Sequence, residues 1–186
     1  MTLLWTLALA TTAVAACTDL RTGHIPNWLT ASAFALGLIV HGAAAGATGG
    51  AQGAGIAVAW SLGGALVCAA PALMLFARGA MGGGDVKLFA ALGALIHPVE
   101  GLQVEVYAFV VAALVALGQI VYRGALLETL ARSSRLLVRT LRLLPRRVAL
   151  PEAEEAAALP PHLLGWLRLG PSIFVGAAIT WVLRHS

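Results

Sequence analysis

With 186 residues, 60% of them hydrophobic and 11% charged, the chain has too little polar surface to coat a soluble globule and belongs in lipid. At about 20 apolar residues per crossing, roughly five to seven membrane helices fit, and a sizeable soluble domain does not. The formal charge of +4 rests on eleven Arg and one Lys. Seven of the Arg fall at 123–147, a stretch without aromatics, which excludes the interleaved pattern of nucleic-acid binding and points to a membrane surface.

In chain order, the first apolar segment is 2–18. It ends in Ala13-Val14-Ala15-Ala16-Cys17, faintly like a lipoprotein cleavage site, yet no Lys or Arg precedes Arg21 and a signal peptide opens with a positive region. The segment is therefore read as a retained helix. Further apolar segments at 28–45, 55–77, 86–98, 102–122 and 163–183 predict an all-α integral membrane protein of six transmembrane helices, a single membrane-embedded domain over 1–186. The fourth is short for a bilayer, and a re-entrant segment is its alternative. Cys17 and Cys68 form no Cys-x-x-Cys and are expected to be small buried hydrophobes.

Arg21, the turn holding Arg78 and Lys87, and the Arg-rich stretch all belong on the cytoplasmic side by the positive-inside rule. Spans four and five then form a hairpin turning at 98–101, both termini face outward, and the uncharged Gly- and Ala-rich loop 41–53 is an external connection. The loop 123–162 is cytoplasmic. Within it Arg132, Arg135, Arg139, Arg142 and Arg146 recur at steps of three and four, while Leu130, Leu137, Leu141 and Leu144 lie on other faces. That pattern predicts an amphipathic interfacial helix at about 125–144 resting on anionic lipid and stopped by Pro145, with a basic solvated linker as the alternative.

The chain contains only two aspartates, Asp19 and Asp85, and the topology puts both at cytoplasmic ends of spans. Ionisable groups there are costly and mark function more often than structure. Each has a plainer alternative. Asp85, after Gly82-Gly83-Gly84, suits a helix N-cap. Asp19, at a helix C-terminus where the macrodipole disfavours negative charge, is left with a local pairing to Arg21.

The chemistry that needs two carboxylates and no other reactive group is aspartic proteolysis. One ionised carboxylate takes a proton from the attacking water, while the other, protonated, steadies the oxyanion and later supplies a proton. No metal or cofactor is needed. The glycines before Asp85 let substrate backbone approach the acid, or form a plain flexible turn. No Ser stands in a Gly-x-Ser-x-Gly motif, and the five His, among them His24 near Asp19, form no ligand set.

These residues match a known family. Asp19-Leu20-Arg21-Thr22-Gly23-His24-Ile25-Pro26-Asn27 resembles the first catalytic motif of type IV prepilin peptidases, and Gly82-Gly83-Gly84-Asp85-Val86-Lys87-Leu88 resembles their Gly-x-Gly-Asp motif. Gly170-Pro171-Ser172-Ile173 with Gly176 is similar to the last-helix signature, Leu169 standing where an aromatic is usual. The resemblance implies catalytic Asp19 and Asp85, and substrate-binding or site-shaping roles for Gly82, Gly84, Lys87, Arg21, Pro26 and Asn27. It implies cleavage, at the cytoplasmic face of the bacterial inner membrane, of a prepilin or pseudopilin with a short basic leader before an apolar helix.

Larger members carry a cysteine-rich insertion near the N-terminus and methylate the trimmed pilin; without those cysteines this chain resembles the short Tad/Flp type, and methyl transfer is not supported. Presenilin-like peptidases share Gly-x-Gly-Asp but place the partner acid as Tyr-Asp, which does not occur here. A small proton-coupled transporter, or a non-enzymatic pilus-assembly subunit, is the reading from a different class.

Overall fold

The computed structural model describes residues 2–122 and 168–185, which form five helices: α1 (Thr2–Thr22), α2 (Asn27–Ala77), α3 (Gly83–Ile96), α4 (Pro98–Tyr122) and α5 (Leu169–His185). The expected interfacial helix at 125–144 lies outside the described residues, as do the rest of the loop 123–162 and the start of the sixth segment. The chain divides into two compact units, Met1–Val111 with Arg168–Ser186, and Ala112–Leu167. The features below all belong to the first unit. Stretches within α1, α2 and α4 are long and apolar enough to cross a membrane: Leu3–Thr22, Asn27–Ala77 and Pro98–Gln119.

α1 stops at Gly23, whose φ of 66° suits a residue without a side chain and whose N–H donates to the Asp19 carbonyl at 2.8 Å. Three residues later Pro26 opens α2. The 51 residues of α2 are not one rod. At Gly50 the backbone turns to φ 60°, ψ −156°, and the helix folds back on itself. A Cβ on Gly42 would lie 3.0 Å from Val58, and one on Gly46 3.3 Å from Ala54, so the two limbs run antiparallel in close contact. The loop expected at 41–53 is thus corrected to helix on both sides of one residue. Its Ala content favours helix, and its small side chains permit the approach that made the sequence look like linker.

α3 ends at Ile96, and the reversal into α4 is made by His97 alone, at φ 72°. The turn expected at 98–101 is instead the first turn of α4, where Pro98 is tolerated because its missing N–H would have had no partner. Gly101 packs back on Gly93, closing an α3–α4 hairpin.

α3 is the centre of the unit. Every residue from Leu88 to Ile96 except Ala90 is buried, and the helix packs on α1, α2 and α4. Its terminal carbonyls lack partners within the helix, and each limb of α2 supplies one. Ser61 Oγ donates to the Ala94 carbonyl at 2.7 Å, and the N–H of His41 Nε2 donates to that of Leu95 at 3.0 Å. Between them the α2 and α3 backbones meet: a Cβ on Gly64 would overlap the Gly93 carbonyl, and the reverse. Outward-facing Trp28, Ile39, Leu66 and Val106 supply an apolar exterior. Cys68 is buried as expected, but Cys17 faces outward from α1 and is corrected to a surface position.

Gly64→Ala should therefore cost about 1–3 kcal/mol, the usual penalty of overpacking, and lower the unfolding midpoint in detergent. Gly63→Ala, whose new methyl meets open space, should leave the midpoint in place.

Candidate active site

Asp19 lies in the last turn of α1 and is 8% exposed. Its setting answers the difficulty of a negative charge at a helix C-terminus. The N-terminus of α5 meets it, and the Gly170 N–H donates to Asp19 Oδ2 at 3.0 Å. The Arg168 guanidinium donates to the Asp19 carbonyl at 2.7 Å and also to that of Leu20, so the adjoining residue ties down the end of α1. Arg21 is exposed, and the expected alternative of an Asp19–Arg21 pair does not form.

Asp85 is the third residue of α3 and is half-buried. The N-cap is Gly82, in extended conformation, so Asp85 stands inside the first turn and the capping alternative is corrected. Asp85 precedes the apolar run that begins at Val86. Burial, and next the charge of Asp19, push its carboxyl up to about 6, partly offset by a backbone hydrogen bond at Gly82. The charge of one aspartate of the chain therefore reaches the other.

The Gly-x-Gly spacing has a steric cause. A Cβ on Gly82 would lie 3.2 Å from Asp85 Oδ2, and one on Gly84 3.2 Å from the Cβ of Ile25, whereas Gly83 would make only an ordinary contact with Phe76. Ile25, buried in the connection between α1 and α2, thereby seats the Asp19 motif on the Asp85 motif. A second tie joins them: Lys87 Nζ donates to Asn27 Oδ1 at 2.9 Å. The structure thus draws Asp19, Asp85, Gly82, Gly84, Pro26, Asn27 and Lys87 to one end of the unit, with Arg21 and His24 exposed nearby. The far end is marked by the Glu100–Arg184 ion pair between the start of α4 and the end of α5.

The family model for the type IV leader peptidase family matches residues 6–117, which include both aspartates. The chain belongs to that family. No curated protein and no solved structure matches it. Membership makes the chain a peptidase of the prepilin type, and the match stops before α5.

Two features escaped sequence reasoning. The Gly170 N–H is a backbone group with no side-chain signature, and its motif reads only as a likeness to the last-helix signature. Glu105 in α4 is 2% exposed, and neither carboxyl oxygen has a hydrogen-bond partner among the described residues. Its place in an otherwise apolar run was the available signal. Among the described residues, no three His, Cys, Asp or Glu side chains gather as a metal site would need.

A carboxyl raised to about 6 is an acid below that pH and a carboxylate above it. Peptide cleavage by such a pair needs one proton held between the two groups. The kcat/KM for a peptide substrate is therefore expected to fall as pH rises through about 6, measured from pH 4.5 to 8 at constant ionic strength. A profile flat across that range would show that Asp85 holds no essential proton.

Proposed function

We propose that the chain is an aspartic endopeptidase that removes the short basic leader of a prepilin or pseudopilin at the cytoplasmic face of the bacterial inner membrane, with Asp19 and Asp85 as its catalytic pair. The observation that carries the reading is the placement of both aspartates of the chain at one end of the helical unit, where the charge of Asp19 bears on the Asp85 carboxyl. Water attacks the peptide carbon while one carboxylate takes its proton; the protonated partner steadies the oxyanion; a proton passes to the leaving nitrogen as the C–N bond breaks. Gly82 and Gly84 keep the approach to Asp85 narrow and free of side chains. Lys87, Asn27 and Pro26 fix the connection that carries Asp19, and Arg21 lies on the exposed rim.

The topology that goes with this reading has six crossings, the two limbs of α2 counting separately and α3 crossing within a wrap of other helices. Support comes from α3 and α5. Both start beside an aspartate and end near the Glu100–Arg184 pair, α5 rising about 25 Å on the way at 1.5 Å per residue. The segment 125–144 is assigned to the anionic leaflet, and the chain, whose two cysteines Cys17 and Cys68 form no cluster, to the Tad/Flp-like branch without methyl transfer. Glu105 is the one observation that favours the transporter alternative, since a proton carrier wants a buried carboxylate.

Purified protein in liposomes, given a peptide with a basic leader ahead of an apolar helix, should cut once at the junction by mass spectrometry. Asp19→Asn or Asp85→Asn should remove the activity, and EDTA should leave it intact. Retention of turnover by either variant would rule out the aspartic mechanism, and proton uptake without cleavage would favour the transporter. Cysteine labelling in inverted vesicles should reach position 83 from the cytoplasmic side and positions 49 and 100 only from the other. Labelling of position 100 from the cytoplasm would make α3 re-entrant.

A further inference from the structure

Two carboxylates that share one proton need a rule for which of them keeps it, and the surroundings of Asp19 and Asp85 differ in a way that supplies one. Asp19 is buried and receives a main-chain N–H directly on Oδ2. That donor is held by the first turn of α5, so it cannot swing away, and it points along the helix axis whose positive end faces the carboxylate. A donor of this kind bonds more strongly to a carboxylate than to a carboxylic acid. The fit leaves no room for change: a Cβ on Gly170 would lie 2.8 Å from both the Cβ and Oδ2 of Asp19. Arg168, two residues earlier, spends its guanidinium on the main-chain carbonyls of Asp19 and Leu20 and so fixes the backbone on which that carboxylate rides.

Asp85 is only half-buried, and its main-chain hydrogen bond at Gly82 offsets only part of what burial and the neighbouring charge do to it. It faces the charge of Asp19, and the nearby cation on its own helix, Lys87, is engaged by Asn27. Arg21 and His24 are exposed.

We infer that Gly170 is a positioning residue for the reaction proposed above: its N–H holds Asp19 as the ionised general base and leaves Asp85 as the proton-bearing acid. The division of labour then has a fixed sense. Asp19 receives a proton from water as the water oxygen bonds to the carbonyl carbon, and Asp85 keeps its proton on the oxyanion. As the C–N bond breaks, the proton on Asp19 goes to the leaving nitrogen, and the pair ends with the single proton it began with. The inference rests on the peptidase reading for its chemistry, but not for its test.

Because the chain holds only two aspartates, labelling with [4-13C]aspartate gives two carboxyl signals, which Asp85→Asn assigns. In the full-length protein in nanodiscs, the Asp85 signal should move as pH falls through about 6 while that of Asp19 keeps its carboxylate position. Gly170→Ala should abolish that order, with kcat down by about 100-fold, the cost of an ångström-scale misplacement, and KM within about twofold. Gly176→Ala is the control. Its methyl would strike Ala108 and Val104 at 2.7 Å, equally tight on the same helix but away from the aspartates, so it should cost stability and leave the order alone. A wild-type protein in which Asp19 takes the proton first overturns the inference even if Gly170→Ala fails to fold. So does a folded Gly170→Ala protein that keeps both the order and kcat. Absence of cleavage by the wild type, with the order intact, would instead remove the peptidase reading and leave the role of Gly170 standing.

Discussion

The C-terminus of α3 is where the structure is least free to vary. A helix of 14 residues ends inside the protein, and its last carbonyls have no intrahelical donors. Leaving them bare in an apolar interior would cost several kcal/mol each. Ser61 and His41 remove that cost from opposite limbs of α2, and Gly64 on one limb and Gly37 on the other let each come close enough to do so. Once α3 is held at that end, its first turn is fixed too. Asp85 is therefore presented by a helix that cannot slide or tilt without breaking hydrogen bonds about 15 Å away at 1.5 Å per residue.

Asp19 reaches the same place by a different route. α1 is stopped by Gly23, the chain crosses to α2 in three residues, and Ile25 is pressed onto Gly84. α5, far away in sequence, closes the arrangement with the Gly170 N–H and the Arg168 side chain. Each motif of the site thus leans on another: Gly84 makes room for Ile25, Asn27 accepts from Lys87, and Asp19 accepts from Gly170. A pair of like charges in a poorly solvated place is costly unless one is neutralised by a proton, and the proposed peptidase chemistry uses that cost.

Much of this was legible in the sequence. Asp19 and Asp85 stood out because an ionisable group in an apolar chain requires a reason, while the glycines before Asp85 read as room for substrate backbone or a flexible turn, and only the structure shows Gly82 and Gly84 closely packed. The boundaries were harder. Residues 41–53 read as a loop because glycine usually means flexibility, but here most of those glycines serve helix-to-helix contact and Gly50 alone turns the chain. At 98–101 the charge pattern called for a reversal, but His97 makes it one residue earlier and Pro98 starts the next helix. The Gly170 N–H was invisible because a backbone donor carries no residue signature, and Glu105 was passed over because its neighbours fit a membrane helix. The Arg stripe at 125–144 lies outside the described residues, so its reading stands on spacing alone.

That the two aspartates work as one unit is tested most directly by a double-mutant cycle. Single-turnover rates of leader removal would be measured for Asp19→Asn, Asp85→Asn and the double variant, each shown to be folded. Groups that share one proton and one transition state are grossly non-additive, so the three residual rates should agree within about threefold. If the double variant instead loses the product of the two single losses, the aspartates act independently and the paired-carboxylate account is wrong.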